Sequence, residues 1–200
     1  MNGMIIILSG PSGAGKGRIC EELLKRRGQK IRKSISVTTR PKREEDEKSE
    51  NYIFVPEEQF LEMNKMGMFF ETNYYDGSWY GTTRIPLEEL TIRDLVFDKD
   101  VNGALAIKEA YPEAITIYVM PKDNETLLER RGNRGERRAE IAKEEVPKAK
   151  QLDFLVINDD IDSAVDQVEE IIECMRVYST TRRWSMKNKK NVTFMDNFYN

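Results

Sequence analysis

Histidine is absent from the 200 residues, and cysteine occurs only at Cys20 and Cys174. Without histidine there is no Ser-His-Asp or Cys-His constellation, and two distant cysteines cannot complete a zinc site by themselves. Many hydrolases and metalloproteins are excluded at once. Both cysteines read as reduced, buried apolar fillers. No long hydrophobic run exists either: the apolar stretch 5–8 is too short for a membrane span or for the core of a signal peptide. A cytoplasmic protein with no membrane partner is expected. Net positive charge is also missing. The formal charge is -3, so no global basic field points to nucleic acid, and none is expected as a partner. Monomer and homodimer both stay open.

What is present is a globular mixture, 39% hydrophobic and 34% charged, long enough for one well-packed domain. Short apolar runs alternate with amphipathic stretches. Strands are expected at 4–8, 34–39, 52–55, 69–73, 95–97, 115–120 and 154–157. Helices are expected at 18–27, from Pro56 onward, and at 102–110, 123–131, 136–146 and 161–176. Alternation of this kind predicts an α/β fold with a mainly parallel central sheet. The stretch 34–84 is richer in strand and turn signals and reads as a small lobe inserted into that core. Residues 177–200 are polar, without clear periodicity, and are expected to be loosely held.

Gly10-Pro11-Ser12-Gly13-Ala14-Gly15-Lys16 lies between the first strand and the first helix. This is the G-x-x-x-x-G-K spacing of a phosphate-binding loop in its proper context. The glycines let backbone N–H groups turn inward. Those donors and the helix N-terminus hold an anion, and Lys16 adds charge at the β- and γ-phosphates. The position after the lysine usually carries Ser or Thr for Mg²⁺; here it is Gly17, followed by Arg18. Mg²⁺ is then held through water and carboxylates, or metal use is impaired. Arg18 either contacts a phosphate or is a solvated surface arginine.

Further along stand Ser34-Ile35-Ser36-Val37-Thr38-Thr39-Arg40-Pro41-Lys42-Arg43, Asn51-Tyr52-Ile53-Phe54, Phe70-Glu71, Gly77-Ser78-Trp79-Tyr80-Gly81-Thr82 and Asp98-Lys99-Asp100-Val101-Asn102-Gly103. In order and spacing, together with the phosphate loop, these closely resemble the guanylate kinase family over roughly residues 4–175. The resemblance implies ATP-dependent phosphorylation of GMP to GDP, with ATP and GMP as small-molecule substrates and Mg²⁺ accompanying ATP. It implies a P-loop three-layer α/β fold: a core of 1–33, 85–122 and 147–176, a GMP-binding lobe at 34–84 and a lid at 123–146. By position, Arg40, Arg43, Tyr52 and Tyr80 would hold the GMP phosphate, and Ser36, Glu71 and Thr82 would surround the base. Asp98 and Asp100 would stand near the phosphates and the metal. Gly10, Ser12, Gly13, Ala14, Gly15, Lys16, Gly17, Arg18 and Asn158 fall on the ATP side, Asn158 near the adenine. Arg130, Arg134 and Arg138 match lid arginines that, with Lys16 and Arg40, surround the migrating phosphoryl group.

The residue chemistry agrees. A monoester dianion is suited to forked arginines. One carboxylate accepts guanine N1–H and N2–H together, whereas adenine has an acceptor at N1 and would leave Glu71 unpaired; such sites discriminate by roughly 10⁴-fold. Thr82 is expected to donate to O6. The segment between Arg134 and Arg138 is several residues shorter than the family's usual lid. That and Gly17 leave a second reading, a catalytically weak or inactive GMP-binding module.

Overall fold

The computed structural model describes residues 3–43, 52–84, 89–122 and 147–187, apart from the side chains of 89 and 181–187. The expected helices at 123–131 and 136–146, and with them the whole lid and its arginines, lie outside the described residues, as does the chain beyond 187.

The first strand, β1 (Ile5–Ser9), is buried along its whole length. Successive side chains point to opposite faces. Ile6 and Leu8 therefore enter one core with Ile19, Leu23, Val165, Val168 and Ile172, while Ile5 and Ile7 enter another with Phe97, Ala104 and Ile107. Coverage on both faces explains why the run is uniformly apolar rather than alternating. The strands β2 (Ile31–Lys33), β7 (Asp94–Asp98), β8 (Ile115–Met120) and β9 (Phe154–Ile157) join it in the order β2-β7-β1-β8-β9, every neighbouring pair parallel. Helices α1 (Lys16–Arg27) and α5 (Ile161–Lys187) cover the first face, and α4 (Val101–Ala110) covers the second. A short α3 (Glu89–Ile92) precedes β7. Truncating a fully buried side chain such as Leu23 to alanine costs about 2–5 kcal/mol.

Four strands make a second sheet: β3 (Ser36–Thr38), β4 (Tyr52–Phe54), β5 (Phe69–Tyr75) and β6 (Ser78–Thr83), in the order β4-β3-β6-β5. Helix α2 (Glu57–Lys65) follows Pro56, whose fixed φ suits a helix start. Its Phe60 packs with Val37 and Phe69 into a small core of its own. Gly81 lies against this core; a Cβ there would come within 2.7 Å of the Phe69 ring.

Two expectations are corrected. The last helix does not stop at Arg176 but continues to Lys187. No glycine or proline interrupts it, so nothing local ends the helix where its buried face runs out. Cys174 is exposed on that helix, while Cys20 is buried as expected.

Candidate active site

The phosphate loop joins β1 to α1. Gly10, Gly13 and Gly15 have φ of 139°, 87° and 92°, a region where side chains are strained. Space forbids side chains as well: a Cβ on Gly10 would lie 2.1 Å from the Val119 carbonyl oxygen, and one on Gly15 2.2 Å from Asn158 Nδ2. Helix α1 has no side-chain cap and no acidic residue in its first turn. Its leading N–H groups therefore face neither a competing side-chain acceptor nor a first-turn carboxylate, which suits an anion. Lys16 curls back over the loop, donating from Nζ to the carbonyls of Gly10 at 2.6 Å and Pro11 at 3.2 Å. Asn158, 1% exposed, donates from Nδ2 to the Ala14 carbonyl at 2.7 Å. Its Oδ1 has no hydrogen-bond partner among the described residues. Beside this loop opens a cleft lined by Ser12, Gly13, Gly15, Lys16, Gly17, Arg18, Asp98 and Asn158, among others.

The second sheet builds the facing wall. Tyr52 pairs with Ser36, Ser36 with Thr82, and Thr82 with Glu71. One row of four side chains thus crosses all four strands, brought onto one face by strand register. A bulge between Phe69 and Glu71 sets that register; Phe70, the extra residue, turns onto the main core beside Tyr111. Tyr80, two positions from Thr82, shares the face and meets the Tyr52 ring edge-on at 6.1 Å.

Between row and phosphate loop lies a cleft of about 220 Å³, whose lining includes Gly10, Ser12, Lys16, Ser36, Tyr52, Tyr75, Tyr80, Asp98, Lys99 and Asp100. Residues far apart in sequence, from both the phosphate-loop set and the acceptor set, are brought together there. Arg40 is not part of that lining: its guanidinium lies over the rings of Tyr52 and Phe54 at 5.4 and 5.2 Å and donates to the Pro41 carbonyl at 2.8 Å. Arg43 stands at the end of a described segment, and Arg130, Arg134 and Arg138 lie outside the described residues.

Two of the residues expected in the site make side-chain hydrogen bonds within the protein. Thr82 Oγ1 donates to Glu71 Oε1 and accepts from Lys99 Nζ. A hydroxyl has one proton, and here it is directed at Glu71. Asp100 accepts from the Gly103 N–H at 2.8 Å, capping α4, and from Asn73 Nδ2 at 2.6 Å. Both carboxylate oxygens thus brace α4 against β5, while Asp100 also lines the cleft. Asp98 differs: it lines both clefts. An open carboxylate at that point is the hard oxygen donor that Mg²⁺ takes, with water and phosphate oxygens completing its shell. No cluster of three or more acidic or cysteine side chains able to hold a metal occurs among the described residues. Gly17 offers no hydroxyl, and a Cβ added there would meet nothing within 4 Å.

Sequence reasoning missed Lys99, Asn73 and Tyr75. The only signal for Lys99 was its place between two aspartates at the end of a buried strand.

A phosphate loop at the carboxyl edge of a parallel sheet, facing a smaller sheet across a polar cleft, defines a P-loop nucleotide phosphotransferase. A family model described as guanylate kinase matches residues 2–175. The chain is 38% identical over 189 residues to guanylate kinase of Thermotoga maritima, covering 90% of this chain and 91% of that one. It is 36% identical over 179 residues to guanylate kinase of Carboxydothermus hydrogenoformans, covering 85% and 87%. The crystal structure of guanylate kinase from Anaplasma phagocytophilum superposes with a TM-score of 0.73 at 28% identity, over 86% of each chain. The chain belongs to the guanylate kinase family.

Proposed function

We propose that the chain transfers the terminal phosphate of ATP to GMP, giving GDP and ADP, between two clefts that share Asp98. The observation that carries this division of labour is the row Tyr52, Ser36, Thr82 and Glu71 standing across one cleft from the phosphate loop. The loop backbone and Lys16 hold the ATP phosphates. Glu71 accepts from guanine N1–H and N2–H, Ser36 and Thr82 flank it, and Tyr52, Tyr80, Arg40 and Arg43 serve the GMP phosphate. Asn158 Oδ1, buried and without a hydrogen-bond partner among the described residues, suits a donor on the ATP side. Mg²⁺ would be held on Asp98 and would neutralise phosphate charge.

No covalent intermediate and no general base is needed. The acceptor phosphate has a second pKa of about 6 and is already anionic near neutral pH. The protein's work is positioning and charge: Lys16, Arg40 and, from their sequence positions, Arg130, Arg134 and Arg138 surround the transferring group. The loop glycines and Lys16 are retained in a phosphate-loop geometry, and no observation favours a non-catalytic module. The reaction uses free nucleotides, consistent with a cytoplasmic setting.

The test is Glu71→Gln. The carboxamide still accepts once but opposes one of the two base donors with its own N–H. A loss of about 10²-fold or more in kcat/KM for GMP is expected, with the KM for ATP unchanged. Equal loss for both substrates would remove Glu71 from base recognition.

A further inference from the structure

Lys99, between Asp98 and Asp100, is only 8% exposed. Its ammonium donates to Ser36 Oγ at 2.9 Å and to Thr82 Oγ1, and lies 3.0 Å from Glu71 Oε1. These three partners are the residues assigned above to the base, and they match the ammonium's three donors one for one. The cleft lining includes Lys99 and Ser36 but not Glu71 or Thr82. The Lys99 and Glu71 side chains are equally buried, each 8% exposed, so a base that reaches the carboxylate also reaches the ammonium.

Guanine carries its O6 acceptor on the carbon next to N1. When N1–H and N2–H take Glu71, the Lys99 N–H directed at that carboxylate is left beside O6. The Thr82 hydroxyl is directed at the same Glu71 oxygen, so it brings one neutral donor to this point and Lys99 brings the charged one. Adenine would place an amino donor at position 6, against a cation that has no acceptor to offer. We propose that Lys99 is a specificity-determining residue that reads the 6-oxo group of the purine, its ammonium passing from Glu71 to O6 as the base binds. This rests on the assignment of Glu71 to the base. It adds a cationic reader of position 6, so selection extends to 6-oxo purines as a class and the 2-amino group is read by Glu71 alone.

The experiment compares each Lys99 variant, Lys99→Met and Lys99→Gln, with the wild type on three acceptors: GMP, inosine monophosphate (6-oxo, no 2-amino group) and 2-aminopurine riboside monophosphate (2-amino, no 6-oxygen and so no N1–H). Lys99→Met should lower kcat/KM for GMP and inosine monophosphate by about 10- to 100-fold, the scale of a charged hydrogen bond. It should leave 2-aminopurine riboside monophosphate and the KM for ATP nearly unchanged. Lys99→Gln, which keeps an N–H donor, should recover part of the loss. Unchanged or improved GMP use by Lys99→Met, or equal loss on all three acceptors, overturns the proposal and leaves Lys99 a brace between sheets. If Lys99→Met does not fold, Lys99→Gln decides on the same three acceptors: an equal loss on all three, or no loss on any, overturns the proposal. Glu71→Gln run in parallel separates the two claims. Sparing of GMP there removes the base pocket itself, whereas loss there without loss in Lys99→Met removes only the role of Lys99.

Discussion

The side-chain amide of Asn158 donates to the carbonyl oxygen of Ala14 at 2.7 Å, so the turn after β9 holds the phosphate loop from behind. The two residues are 144 positions apart, and the contact is buried. Asn158→Ala should cost about 1–3 kcal/mol, the scale for removing a buried hydrogen-bond partner. The KM for ATP should rise while the KM for GMP stays near its wild-type value. Thermal melting and two-substrate kinetics check both parts; a rise confined to GMP would contradict this placement.

Gly17 occupies a helical position with open space around it. Gly17→Ser and Gly17→Ala should each stabilise the protein, by about 0.5 and 1 kcal/mol, because glycine is a poor helix former. Only the serine adds an oxygen of the kind that serves Mg²⁺ in phosphate loops. Turnover at limiting Mg²⁺ should therefore rise in Gly17→Ser and not in Gly17→Ala, read from Mg²⁺ titrations of the initial rate.

The two cysteines should separate cleanly. Burial pushes the Cys20 thiol up to about 12, so below that pH it is protonated as well as sheltered; the thiolate is the reactive form. Cys174 is exposed. Iodoacetamide at pH 8 should modify Cys174 in the native protein and both cysteines after unfolding, as read by peptide mass. Native labelling of Cys20 would contradict the packing of α1.

Asp94, 2% exposed, accepts from the Met4 N–H at 2.9 Å and from Arg176 at 2.5 Å, with Arg27 at 3.8 Å. Asp94→Ala leaves buried donors unanswered and should cost about 3–5 kcal/mol, with little change in either KM. Arg27 also donates to Glu173, holding that carboxyl below its usual range. A depressed carboxyl stabilises above its ordinary value and loses that contribution as pH falls through the folded one. Glu173 is 57% exposed, so Glu173→Gln should lower stability at pH 7 by less than about 1 kcal/mol. The difference from wild type should shrink in acid.

Much of the fold is legible in the sequence because its core strands are buried on both faces and so stand out as apolar runs. β2 is not: only Ile31 of its three residues is buried, and Arg32 and Lys33 give it the look of a loop. β6 carries Gly81 at its centre, a residue that ordinarily weakens a strand; here Phe69 leaves room for nothing larger. In the site, the phosphate loop is legible because its spacing is its chemistry. Ser36, Glu71 and Thr82 are legible through family resemblance, but that they form one row follows from register and a bulge, which no local pattern reveals. Lys99 is hidden for a different reason: lysines are mostly exposed, and only the fold shows one brought beside a buried carboxylate.

The most direct test of the central claim is the rate of ADP formation with ATP and Mg²⁺, comparing GMP, AMP, UMP and no acceptor. A base pocket built on Glu71 beside a phosphate loop predicts turnover with GMP, little with AMP or UMP, and almost none without acceptor. Absence of GMP-dependent turnover, with GMP binding still seen by calorimetry, would contradict the account and leave a binding module in place of a kinase.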